Sequence, residues 1–123
     1  MLPNFMQEKR NFVRIEWPVI IQYKTLEEPY TKDQILSKDI SEAGVSFVIY
    51  ERLSKGMHLD LQIQVPFDSM PIFIKGKVAW IRGIGEEHAK TFEVGVSFIE
   101  ADEKDHKRLK MYIEDEIKAR RIK

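Results

Sequence analysis

His58-Leu59-Asp60-Leu61-Gln62-Ile63-Gln64-Val65 is a strand written in alternation. Leu59, Leu61, Ile63 and Val65 fall on one side, and His58, Asp60, Gln62 and Gln64 on the other. A period of two is the signature of a half-buried β-strand. Five further stretches also read as strands. Trp17–Tyr23 is β-branched and aromatic, with Pro18 near its start, where a missing N–H is tolerated. Gln34–Ile40 and Val45–Tyr50 flank the turn Ser41-Glu42-Ala43-Gly44, Ile72–Ile84 is one long run with Gly76 at a bulge or close approach, and Thr91–Ile99 is the last. Residues 24–33, 53–56, 66–71 and 83–90 are the connections. After Asp102 the period changes. Leu109, Ile113 and Ile117 recur every fourth residue with Tyr112 beside them, which is one apolar helical stripe. Asp102 suits the N-cap and Glu103 and Asp105 the first turn, while Lys118, Arg120, Arg121 and Lys123 suit the last. Short strands followed by one helix predict a mainly β fold, a small antiparallel barrel or closed sandwich with a helix packed on it.

The 123 residues suit one domain with a single core. Twenty basic and 20 acidic side chains cancel, which argues against broad DNA or RNA backbone binding but not against a small anionic ligand. There is no Cys, so disulfide and thiolate chemistry are excluded. No apolar run approaches the ~20 residues of a membrane span, and the N-terminus has no signal-peptide stretch. The expected compartment is the cytoplasm. No nucleophile triad, phosphate-binding loop or HExxH motif appears, so enzyme activity is not expected, and no cofactor is implied. Glu27-Glu28 and Glu86-Glu87 lie in polar connections where nothing is expected to shift their pKa values. His58, His88 and His106 show no metal-ligand spacing and read as surface residues; Trp17, Phe12 and Trp80 read as packing residues rather than stacking platforms.

Two short motifs bracket the first strand: Arg10-Asn11-Phe12-Val13-Arg14, an RxxxR, and Asp39-Ile40-Ser41-Glu42-Ala43-Gly44, a DxSxxG. Gly76-Lys77-Val78-Ala79-Trp80 and Glu93-Val94-Gly95-Val96-Ser97-Phe98 follow as GxVxW and GVxF stretches. In this order the four resemble the PilZ domain, a family of bacterial receptors for cyclic di-GMP. The resemblance covers nearly the whole chain and implies a six-stranded antiparallel β-barrel with a C-terminal α-helix. Residues 1–14 would be a flexible arm carrying RxxxR, and 15–123 the barrel with its helix at about 102–121. It further implies that Arg10 and Arg14 clamp the ligand and that Asp39, Ser41 and Gly44 form the barrel-side surface. Lys9 stands where many members carry a further Arg; lysine keeps the charge but not the planar fork, which leaves open whether one ligand or a stacked pair is bound.

The residue types suit that ligand. A guanidinium fork matches phosphate oxygens and the O6/N7 edge of guanine. A carboxylate such as Asp39 accepts from guanine N1–H and N2–H₂. The Ser41 hydroxyl can donate to a phosphate or cap the turn, and Gly44 can supply positive φ or close approach. The expected function is a cyclic di-GMP receptor that orders its arm on binding and signals to an effector protein, with a homodimer as one route. The rivals are a PilZ-fold interaction protein that binds no nucleotide, as in type IV pilus machinery, and a single-stranded nucleic-acid binder on a small barrel.

Overall fold

The computed structural model describes residues 15–28, 30–66, 68–85 and 91–121. Six strands run β1 Ile20–Thr25, β2 Lys32–Ile40, β3 Gly44–Ile49, β4 His58–Ile63, β5 Ile72–Ile84 and β6 Thr91–Ala101, followed by helix α1, Glu103–Arg121. All pairings are antiparallel, and the order β1-β2-β3-β6-β5-β4 closes where β4 pairs with β1. The fold is therefore the expected six-stranded barrel with a C-terminal helix.

Alternation fills the interior. Ile21, Tyr23, Val45, Phe47, Ile49, Leu59, Leu61, Ile63, Val94 and Val96 turn inward and are buried, and the Tyr23 and Phe47 rings stack at 5.6 Å. The Tyr23 hydroxyl donates to Glu51, which also accepts from Thr31 at 2.5 Å. Burial first, and the Glu51 carboxylate second, push the Tyr23 phenol above its usual range.

The first strand differs from its expected span. It starts at Ile20 rather than Trp17 and continues to Thr25. The reason is Ser37, whose hydroxyl accepts from Val19 N–H at 2.9 Å and donates to the Trp17 carbonyl at 2.8 Å. A side chain thus takes the place of the ladder beside Pro18, which has no N–H to give. Upstream, Ile15 forms a two-way backbone bridge with Ile40, at 2.9 and 3.0 Å.

Helix α1 begins as read: the Asp102 carbonyl accepts the first helical bond, from His106 N–H at 2.9 Å. Leu109 and Ile113 are buried and Ile117 partly so. The helix is pinned at both sides of one barrel end. Arg108 donates to Asp68 at 2.7 Å and to the carbonyls of Met70 and Pro71, and Asp105 accepts from Phe73 N–H. Across the end, His106 Nε2 lies 3.7 Å from Glu42 of the β2–β3 turn, both side chains mostly buried. The surface reading of His106 is thus corrected: the turn folds over it. His58 is exposed, but it corrects another expectation. Its ring and N–H both bond Glu27, at 2.7 and 3.1 Å, and lower that carboxyl's pKa.

Candidate functional site

Two β-bulges create one face of the barrel. In β2, Ser37 pairs with Phe47 but Asp39 pairs with Ser46, so Lys38 is the extra residue. In β5, Val78 pairs with Val96 but Trp80 pairs with Gly95, so Ala79 is the extra residue. An extra residue reverses the alternation beyond it. Without the bulges, Asp39 would share the inward face with Ser37, and Trp80 with Val78. With them, both turn outward, onto one cross-strand row: Asp39, Ser46, Gly95, Trp80.

Trp80 is therefore not a core residue. It is 37% exposed, and its indole lies against the outer side of Gly95, where a Cβ would meet Cε2 and Nε1 at 2.2 Å. Any side chain at 95 would lift the ring from the wall. The neighbouring row is charged. Glu93 is 5% exposed on the outer face. It accepts from Lys38 Nζ at 2.9 Å and from Arg82 Nε at 2.8 Å, with Arg82 Nη2 on the same oxygen. The Lys38 bond, then Arg82, hold the Glu93 pKa below the usual carboxylate range against the opposing effect of burial. Arg82 also stands 5.9 Å from the Trp80 ring centroid. The sequence reading missed this network because Lys38, Arg82 and Glu93 lie on three different strands.

The β2–β3 turn closes one end of the face. The Ser41 hydroxyl, fully buried, accepts from Ala43 N–H at 3.1 Å, and Ser41 N–H donates to the Gly44 carbonyl at 2.9 Å. Ser41 is a turn cap in this state. Gly44 is not at positive φ, which corrects that expectation. Close approach is its reason: a Cβ there would stand 2.4 Å from the Val96 carbonyl oxygen of β6. Asp39 is half-buried at the bulge. Two serine hydroxyls on the outer side of this wall, Ser46 and Ser97, are buried without a hydrogen-bond partner among the described residues. Such groups are uncommon and call for an explanation.

Lys9, Arg10 and Arg14 lie outside the described residues, as do Phe12 and His88. Arg14 is nonetheless one peptide from Ile15, which is bonded to Ile40 between Asp39 and Ser41. Ile15, the first described residue after the RxxxR in sequence, thus lies beside the DxSxxG segment. Elsewhere, a groove of about 460 Å³ crosses β1, β4 and β5, lined by Lys24, Asp60, Gln62, Phe73 and Lys75. No residue of the DxSxxG lines it. Among the described residues no cluster is arranged to hold a metal ion, and no helix is long and apolar enough to cross a membrane.

Comparison with known proteins agrees with this geometry. A family model for the PilZ domain matches residues 8–115. Among curated proteins no relative matches the chain. The PilZ domain of YcgR from Escherichia coli, solved with c-di-GMP, is 16% identical, with 92% of this chain and 95% of that one covered and a TM-score of 0.66. The Bacillus subtilis inhibitor of motility, MotI/DgrA, is 23% identical over 89% of this chain and 52% of that one, with a TM-score of 0.68. The K. pneumonia MrkH–c-di-GMP complex is 16% identical over 93% and 55%, with a TM-score of 0.64. The chain spans about half the length of the latter two. At these identities the likeness carries the fold. With the family matched over most of the chain's length, the chain belongs to the PilZ domain family.

Proposed function

We propose that this domain is a receptor for cyclic di-GMP, bound on the outer wall of β2, β3, β6 and β5. The observation that supports it is the Ile15–Ile40 bridge, which sets the residue that follows the RxxxR in sequence beside the DxSxxG turn. Asp39 faces outward there, as an acceptor for guanine N1–H and N2–H₂. Trp80 presents an aromatic surface at the other end of the row, and base–aromatic stacking contributes about 1–3 kcal/mol. Arg10 and Arg14 close over the ligand and take its phosphates. Ser41 and Gly44 shape the turn against which it rests, and Lys9 adds charge at the rim.

The mechanism is recruitment of the arm. Arg10 and Arg14 gain little from lying near each other without an anion, whereas two phosphates offset their repulsion. The covered wall and seated arm form a new surface for an effector protein or a second copy of the chain. No catalytic step and no cofactor is part of the reading, and the compartment is the cytoplasm, where the ligand would be met.

Calorimetric titration with cyclic di-GMP tests it and gives stoichiometry together with affinity. Arg10→Ala and Arg14→Ala should each weaken binding about 5- to 150-fold, the equivalent of roughly 1–3 kcal/mol. Absence of binding by the parent protein would favour the nucleotide-free interaction role instead.

A further inference from the structure

We infer that Arg82 is a specificity-determining ligand contact, which reads the O6/N7 edge of a guanine stacked at Trp80. The inference rests on the proposed cyclic di-GMP site and assigns a residue outside both of its sequence motifs.

The geometry supplies three reasons. Arg82 is held but not spent. Nε and Nη2 point at one Glu93 oxygen, and among the described residues Nη1 makes no hydrogen bond, while the side chain stays 64% exposed. A guanidinium has five N–H donors, so three remain, spread over the edge that matches two adjacent acceptors. Arg82 is also placed. The β5 bulge turns it outward with Trp80, and its guanidinium sits 5.9 Å from that ring. A base stacked at the indole would present an edge to it. Finally, the surroundings favour an electronegative edge. Lys38 and Arg82 share the single Glu93 carboxylate, so the cluster keeps one net positive charge (two cations, one anion). The Ser46 hydroxyl, in the same row as Trp80, is buried with no hydrogen-bond partner among the described residues.

Glu93 is then a positioning residue. Nearly buried, it fixes one side of the Arg82 fork and removes much of the entropy cost of orienting a long side chain. Adenine would be a poor fit. It offers N7 as an acceptor but N6–H₂ as a donor, which faces the guanidinium donors without a partner. Arg82 therefore separates guanine from adenine cyclic dinucleotides.

The test is calorimetry of the whole chain with cyclic di-GMP and, in competition, cyclic di-AMP. Arg82→Ala should weaken cyclic di-GMP binding about 5- to 150-fold and lower the guanine-to-adenine affinity ratio at least fivefold. Arg82→Lys keeps the charge without the fork and should remain weakened. Because Arg82 is exposed, both variants should melt within a few degrees of the parent. Binding of cyclic di-GMP within twofold of the parent by either variant would overturn the inference while leaving the receptor reading intact. Equal loss for both ligands would overturn it too, as a merely structural effect. No binding by the parent protein would overturn both.

Discussion

Asp39 precedes a structural turn and, in the proposed function, also contacts the ligand. It stands at the Lys38 bulge and heads the turn whose Ser41 caps Ala43 N–H. Asp39→Ala should therefore lower cyclic di-GMP affinity and also cost up to about 1 kcal/mol of stability through the turn. Asp39→Asn keeps an acceptor oxygen and should retain most of the binding. Titration and urea denaturation of the two variants separate the roles; equal loss of affinity in both would make charge, not acceptor geometry, the requirement. Gly44 belongs to the same scale but to a different cause. The sequence reading gave it to the turn or the ligand, yet its buried neighbour is the Val96 carbonyl of β6, which only the folded barrel brings there.

At the scale of elements, the helix stripe was fully legible. Leu109, Ile113 and Ile117 are spaced for one face, of which Leu109 and Ile113 are buried and Ile117 partly so. What the stripe could not say is where it docks. The fold answers with polar anchors, Arg108 to the β4–β5 connection and His106 beside Glu42 of the β2–β3 turn. Ile113→Asp should place an unpaired carboxylate in the contact and destabilise the protein by roughly 2–5 kcal/mol, read as a lowered urea midpoint. An unchanged midpoint would mean that the helix is held by its polar anchors alone. Strands tell the opposite story. Composition and alternation located all six, but in β5 they made Trp80 a packing residue. Ala79 breaks the phase, and a one-residue bulge leaves no mark in composition.

For the whole molecule, the Glu93 cluster ties β2, β5 and β6 together and makes stability depend on pH. The folded-state pKa of Glu93 lies below its unfolded value, through Lys38 first and then Arg82. Its contribution is complete above the unfolded value of about 4.3 and is lost as pH falls through the folded one. Chemical denaturation at pH 7 and pH 3 should show this loss. Glu93→Gln should cost roughly 1–3 kcal/mol at pH 7 and flatten that acid limb. A second measurement bears on the switch. Saturating cyclic di-GMP should slow amide exchange across residues 7–14, while β4 at 58–63 stays protected with or without ligand. Arm amides unaffected by ligand would leave the receptor without the proposed coupling.

The amino-acid sequence by itself determined the element types, the inward face of the strand at 58–65, the helix stripe and the two motifs. Each of these is local: side-chain period and turn chemistry act over a few residues, so a one-dimensional reading suffices. The tertiary structure alone decided the strand order, the meeting of Ile15 with Ile40, and the outward row from Asp39 to Trp80 with the Lys38–Glu93–Arg82 cluster beside it. These depend on register between strands far apart in the chain. Register is set by how the closed barrel satisfies its backbone hydrogen bonds while filling its core, and two extra residues, Lys38 and Ala79, were enough to turn a candidate binding wall to the outside.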